Sequence, residues 1–278
     1  MTSTLKLLTQ SDKSMFMSMD NGIKDDYIAR IFDRLVTSDS HTLYGLFYQG
    51  KLVSTAGYSL FAEGTYAMLG RFRSDRRYRD RGFVTEILHH VVAELENNPA
   101  IRWIGANTET KNLRARRVLE KIGMTPSEPL QYNVVPRAEL EKLPEAAHGW
   151  SEISPVSEKM RWVRALHPSD RLFPFECYYP FPLSGNLLRE FPLQKARMFL
   201  SPDEQRFLLM KEDVKGETYT NVIYPFADAG SDRGVLNLVK KEIQNNPGHY
   251  GAWFNQQYSD TPLPYPVESK GEWVLYRK

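Results

Sequence analysis

Cysteine is nearly absent: Cys177 is the one cysteine in 278 residues, which excludes an internal disulfide and any cysteine-based metal cluster. No apolar run approaches the ~18 residues that cross a bilayer, and the opening MTSTLKLLTQSDKS lacks the apolar centre of a signal peptide. No membrane partner is therefore expected, and a cytoplasmic location is. Neither sign of charge is in excess. Lys+Arg 36 against Asp+Glu 34 leaves +2, which argues against a nucleic-acid binder driven by bulk charge. Metal-ligand spacing is missing too. His89 and His90 are neighbours, which diverge on a helix where side chains three or four apart would converge. His41, His148, His167 and His249 show no ligand pattern, so no metal is expected. What the chain does have is 41% hydrophobic and 25% charged residues, the composition of a packed globular protein. Its length is about twice the ~150-residue prior for one domain.

The first half reads as mixed α and β. Residues 42–61 carry two apolar runs broken by Gln49-Gly50-Lys51, a hairpin signal. Upstream, Ile23, Tyr27, Ile28, Ile31, Phe32 and Leu35 recur at helical intervals. A third strand is predicted over residues 65–73. From Phe83 the apolar positions Phe83, Val84, Ile87, Leu88, Val91, Val92 and Leu95 share one helix face, and Asn97-Asn98-Pro99 ends that helix. Residues 101–108 read as a buried strand, and residues 112–122 as a second helix closed by Gly123. Strand, turn, helix, strand, helix favours helices packed on a sheet.

Pro126, Pro129, Pro136, Pro144 and Gly149 punctuate the following stretch. The expected organisation is a first domain over residues 1–135, a connector over 136–150 with a short helix near 137–143, and a smaller α/β domain over 151–278. Residues 242–255 (EIQNNPGHYGAWFN) resemble residues 94–107 (ELENNPAIRWIGAN), and Asp80-Arg81-Gly82 has a counterpart in Asp232-Arg233-Gly234. Either the second half is a degenerate internal repeat, or Asn-Pro recurs as a generic helix stop.

The segment RFRSDRRYRDRGFV, residues 71–84, carries the chemistry. Arg71, Arg73, Arg76, Arg77, Arg79 and Arg81 are offset only by Asp75 and Asp80, between a predicted strand and the helix that starts near Phe83. Helix starts leave backbone N–H groups unsatisfied and carry partial positive charge, and Gly82 has no side chain to hold a ligand away. The combination suits a phosphate or pyrophosphate; the alternative is a solvated arginine-rich turn.

Arg79-Asp80-Arg81-Gly82-Phe83-Val84 resembles the Arg/Gln-x-x-Gly-x-Gly/Ala motif of the GCN5-related N-acetyltransferases, the GNAT superfamily. Asn112-Leu113-Arg114-Ala115, followed by Leu119-Glu120-Lys121-Ile122-Gly123-Met124, resembles that family's Asn-x-x-Ala…Tyr-Glu-Lys-x-Gly-Phe helix. The resemblance covers roughly residues 1–135. It implies a mixed, mostly antiparallel sheet flanked by helices and splayed at one strand, with acetyl-CoA as cosubstrate in the split. It further implies pantetheine along the backbone of Phe72, Arg73 and Ser74, pyrophosphate on the N–H groups over Arg79, Asp80, Arg81, Gly82, Phe83 and Val84, and Asn112 near the thioester. Two residues depart from the pattern. Val84 fills the final Gly/Ala position, and Leu119 stands where many relatives have a tyrosine that protonates the leaving thiolate.

Glu109 is the carboxylate nearest the expected opening, with histidine and tyrosine side chains or a water chain as rivals for the base. Lys111, Arg114, Arg116, Arg117 and Lys121 read as a solvated helix face or as contacts to an anionic group. Phe173, Phe175, Tyr178, Tyr179 and Phe181, set among prolines, read as core or as the wall of an acceptor pocket, to which the second half would contribute. The turn Asp228–Gly234 has one arginine, so no CoA is expected there. The reading is an N-acetyltransferase acting on a small-molecule amine, with a homodimer left open. Its rivals are acetylation of a protein or peptide, a non-catalytic acyl-CoA-binding module, and, weakest, a nucleic-acid binder.

Overall fold

The computed structural model describes residues 3–145 and 149–278, so His148 lies outside the described residues. The chain divides into two units: Met1–Ser127 together with Leu275–Lys278, and Glu128–Val274. The first boundary falls at Ser127 rather than at 135. The stretch expected as connector belongs to the second unit, where Leu130–Pro136 is a strand and Arg137–Glu141 a helix. Tyr132, Val134, Val135 and Leu140 are fully buried. Pro126 and Pro136 end strands, and Pro136 also caps the start of α5, where a missing N–H costs little.

In the first unit, strands β1 (Thr4–Leu7), β2 (His41–Tyr48), β3 (Lys51–Phe61) and β4 (Tyr66–Ser74) pair antiparallel in sequence order. Between the first two lie α1 (Lys13–Met17) and α2 (Tyr27–Thr37). After β4 come α3 (Phe83–Asn97), β5 (Trp103–Glu109), α4 (Leu113–Lys121) and the short β6 (Thr125–Pro126). Strand alternation divides the sheet's faces. Leu43 and Leu52 pack with Phe16, Ile28, Phe32 and Leu35 of α1 and α2. The neighbouring Tyr44 turns the other way and donates its hydroxyl to Glu94 of α3. The chain's last residues return to this unit, where Tyr276 and Arg277 pair with β6 and the Lys278 N–H donates to Ile104 O at 3.0 Å.

The second unit contains β7 (Leu130–Pro136), α5 (Arg137–Glu141), β8 (Ser151–Ile153), α6 (Val156–Leu166), β9 (Leu172–Glu176) and β10 (Tyr179–Pro182). There follow α7 (Gly185–Glu190), β11 (Arg197–Leu200), β12 (Phe207–Lys215), β13 (Glu217–Ile223), α8 (Arg233–Asn245), β14 (Gly251–Gln256) and β15 (Glu268–Arg277), whose end crosses into the first unit. β8, β11, β12 and β13 form an antiparallel run, β13 pairs parallel with β14, and β14, β7 and β15 pair antiparallel. α8 packs through Val235, Leu238, Val239 and Ile243 on one face of the sheet, against Val135, Ala252 and Phe254. On the other face Val134 and Trp253 meet Cys177 and Tyr178 of the β9–β10 hairpin. Phe173, Phe175 and Phe181 of that hairpin pack edge to face among themselves and with Phe191. They are core.

The order strand, turn, helix, parallel strand thus occurs in both units, as β4–α3–β5 and as β13–α8–β14. The two Asp-Arg-Gly triplets nevertheless do different work. Gly82 itself is the residue capping α3, whereas α8 is capped two residues earlier in its triplet, by Asp232. The Asp232 carboxylate accepts the N–H groups of Gly234 at 2.8 Å and Val235 at 3.0 Å. A Cβ on Gly234 would meet the Trp150 ring at 2.5 Å, so the start of α8 is sealed by its own protein. Asp232→Ala should lower stability by about 0.5–2 kcal/mol in urea unfolding, with Asp232→Asn keeping most of the loss away; an unchanged midpoint for the alanine variant would contradict the cap.

Candidate active site

The β4–β5 ladder is short. Tyr66, Ala67, Met68 and Leu69 pair with Trp103, Ile104, Gly105 and Ala106, and the pairing stops there although β4 runs on to Ser74 and β5 to Glu109. The cause lies on the other edge of β4. Its register with β3 slips between Thr55 and Gly57, and Arg71 sits inside the slip at φ 61°. An extra residue in one strand bends it and increases its twist, which carries the end of β4 off its parallel neighbour. Phe72, Arg73 and Ser74 all lie beyond the last paired position.

The turn that follows is built around Asp75, whose carboxylate is 1% exposed as a residue. It accepts the Arg77 N–H at 3.0 Å and Nε at 2.8 Å, and the Asp20 N–H at 3.3 Å. Asp80 and Gly82 both take left-handed backbone, at φ 63° and 78°. That geometry is easy for glycine and tolerated by aspartate. Gly82 then caps α3 with no side chain to offer, and the first bond inside the helix runs from the Glu86 N–H to Gly82 O at 2.9 Å. Among the described residues, the N–H groups of Gly82, Phe83, Val84 and Thr85 meet no protein acceptor. No atom lies within 4 Å of where a Cβ on Gly82 would stand. Asp80, Arg81 and Gly82 are exposed, with Phe83 and Val84 half-buried. Four aligned donors at the positive end of a 15-residue helix therefore face open space.

The arginines are arranged differently from the sequence reading. Arg73 makes a two-pronged bond to Asp26 at 2.7 and 2.8 Å, and Asp26 also caps α2. Arg76 holds Asp20 at 3.0 Å, Arg79 donates to Asn21 O at 2.7 Å, and Arg77 serves Asp75. Arg71 reaches Ser59 Oγ at 2.7 Å, in a cluster with His41. Arg81 lies over the rings of Tyr48 and Tyr78, at 5.8 and 5.5 Å. Three of the six, Arg73, Arg76 and Arg79, thus clamp the loop over residues 20–26 onto the turn. The donors facing solvent are mainly backbone. Sequence reasoning missed this clamp, although the acidic run Asp20, Asp25 and Asp26 was a visible complement to the arginines.

Burial works against the charge of Asp26, but its bonds to Arg73, the Ile28 N–H and Asn21 outweigh it and hold the carboxyl below its usual range. The Arg77 hydrogen bond does the same for Asp75, holding it at about 2 against burial. Burial, then the charges of Arg71 and Arg34, push His41 down to about 4, so its imidazole is neutral at pH 7.

Of the remaining candidates, Asn112 caps α4 by accepting the Ala115 N–H at 3.2 Å. Glu109, at the far end of β5, pairs with Lys111 at 2.8 Å. Leu119 is fully buried. It is a core residue and offers no proton. The Tyr276 hydroxyl donates to Glu120 at 2.8 Å and accepts from Arg116 at 3.2 Å, which ties α4 to the end of the chain. Among the described residues, no group of three His, Cys, Asp or Glu side chains could hold a metal ion.

A carboxylate depressed on folding contributes stability above its unfolded pKa and loses it as pH falls through the folded value. Asp75 should therefore contribute to acid unfolding between about pH 4 and pH 2. Asp75→Asn should reduce stability at neutral pH and flatten its pH dependence across that window in thermal melts; a variant with the wild-type acid profile would contradict the assignment.

The model of the acetyltransferase (GNAT) family matches residues 8–124. Among solved structures, a GCN5-related N-acetyltransferase from Sphaerobacter thermophilus is similar at 11% identity, covering 99% of this chain and 95% of that one, with a TM-score of 0.58. Another, from Kribbella flavida, has 11% identity over 99% of this chain and 71% of that one, with a TM-score of 0.52. Likeness at such identity establishes a common fold. No curated protein matches the chain. With the split strand pair, the open start of α3 and the family match over the same residues, the chain carries, at residues 8–124, an acetyl-CoA-dependent N-acetyltransferase domain of the GNAT family.

Proposed function

We propose that this domain transfers an acetyl group from acetyl-CoA to the primary amine of a small molecule, such as an amino acid or an amine-bearing antibiotic. The observation that carries the reading is the uncapped start of α3 beside the end of the β4–β5 ladder. The diphosphate of CoA would take the four N–H groups from Gly82 to Thr85, with Arg81 free to swing from its tyrosines toward it. Pantetheine would lie along Phe72, Arg73 and Ser74 as an added strand, its amides matching a strand edge. The thioester then falls inside the split, where strand N–H groups support the oxyanion formed when the amine nitrogen adds to the carbonyl carbon. Collapse breaks the C–S bond, and the thiolate takes a proton from solvent, since Leu119 has none to give. Glu109, standing beyond Ala106 at the free end of β5, is the proposed acceptor of the ammonium proton, directly or through water. Asn112, whose side chain fixes the start of α4, would lie near the thioester.

Preference for a small acceptor rests on the loop over residues 20–26. Its bonds to Arg73, Arg76 and Arg79 fix it against the turn, and the proposed acceptor reaches the thioester past this fixed loop. An extended peptide would need that loop to yield.

The test is release of free thiol from acetyl-CoA in the presence of amino acids, aminoglycosides and peptides. Turnover with a small amine above the buffer rate is expected; fastest turnover with peptides, or none with any amine, would contradict the proposal. Gly82→Glu puts bulk and negative charge at the donors and should weaken CoA binding by about 100-fold or more, with a fall in the thermal midpoint because a side chain is strained at φ 78°. Unchanged affinity would remove the turn from the site.

A further inference from the structure

Asn21-Gly22 is the one Asn-Gly pair in the sequence, and it lies in the loop that the arginines clamp. Asparagine before glycine is chemically fragile. The next backbone nitrogen can close a ring on the side-chain carbon Cγ, and glycine has no Cβ to obstruct the closure. A fold protects such a pair when it bonds that nitrogen's N–H. Here Gly22 is exposed, with left-handed backbone at φ 80°, and its N–H meets no acceptor among the described residues.

The contacts around the pair favour the closure. Asn21 O, the carbonyl of the same peptide, accepts Arg79 Nη2 at 2.7 Å. A cationic donor on that oxygen draws electron density from the nitrogen and stabilises the anion left when the N–H gives up its proton. A Cβ on Gly22 would meet Arg76 Cδ at 3.1 Å and Arg79 Nη2 at 3.6 Å, so two arginines stand against this peptide. The Ile23 N–H donates to Asn21 Oδ1 at 2.8 Å. A backbone N–H only donates, so this bond fixes the amide's orientation, curls the side chain over the Gly22 peptide and supports negative charge building on Oδ1. On the other side Asn21 Nδ2 donates to Asp26 Oδ2 at 2.8 Å, and Asp26 in turn holds Arg73.

We propose that Asn21-Gly22 is a self-modification site: the clamp that holds the loop also promotes conversion of Asn21 to aspartate and isoaspartate, and that conversion loosens the loop. Hydroxide takes the Gly22 N–H proton, and the nitrogen bonds to Asn21 Cγ. The Cγ–Nδ2 bond breaks as Nδ2 takes a proton from water and leaves as ammonia. Water then opens the cyclic imide. Attack at Cγ gives aspartate; attack at the main-chain carbonyl carbon gives isoaspartate, whose peptide link runs through Cγ. Aspartate sets a carboxylate against Asp26 where an amide donor stood, and isoaspartate lengthens the main chain and frees a carboxylate beside it. Like charge there works against the Asp26–Arg73 bond. The site is independent of the acetyl-CoA reading.

The full chain, native and unfolded in guanidinium chloride, is held at mildly alkaline pH and followed by peptide mass spectrometry with isoaspartate resolved. Conversion at Asn21 in the native chain is expected to outrun that in the unfolded chain and that of every other asparagine. Arg79→Ala removes the donor at Asn21 O and should slow the native reaction by about tenfold, with the unfolded rate unchanged. The converted native fraction, separated by its added negative charge, should melt below fresh protein. The native-to-unfolded comparison needs no variant, and a native rate at or below the unfolded one overturns the proposal. So does an Arg79→Ala variant that folds and converts like the wild type, or a converted fraction that melts like fresh protein.

Discussion

The proposed function of the first unit depends on four backbone N–H groups that the protein leaves without partners. A helix start is normally closed by a side-chain oxygen. At α3 the capping position is Gly82, which contributes shape alone. Its backbone is left-handed, and no protein atom lies within 4 Å of where its Cβ would stand. The second unit supplies the contrast within the same chain. There Asp232 occupies the equivalent place at α8 and satisfies two of the same orphan donors. One carboxylate separates a helix start closed by its own protein from one left open.

The arginines around the turn act mainly through other residues. Asp75 gathers the turn, while Arg73, Arg76 and Arg79 draw in the loop over residues 20–26. Breaking one partner of the nearly buried Arg73–Asp26 pair would leave the other charge unmatched, which costs more than the pair contributes when intact. Arg73, Arg76 and Arg77 are each answered by a carboxylate within 3 Å. The dipole and the backbone donors then provide a local field for a diphosphate without a broad basic surface.

How much of this was legible in the sequence depends on the range of the interaction involved. The hairpin over residues 42–61, the helix from Phe83 and the strand after Pro99 follow from local periodicity and turn chemistry, and they stand where expected. Gly82 was legible because its constraint is its own backbone. The clamp was not, since Arg73 finds Asp26 across 47 residues and Arg79 finds Asn21 across 58. The domain boundary was misplaced because prolines in residues 126–150 read as a linker, when Leu130–Pro136 is buried between β14 and β15. Matching the two Asp-Arg-Gly triplets by letter hid a two-residue difference in where each helix begins.

The central claim is that the open donors of α3 hold the diphosphate of CoA, and amide hydrogen exchange on the full chain reads those donors directly. Adding CoA should slow exchange at residues 82–85 and along 72–74, while Gly234 and Val235 at the start of α8 keep their rates. Saturating CoA that leaves residues 82–85 exchanging as before, or that protects α8 instead, would contradict the account.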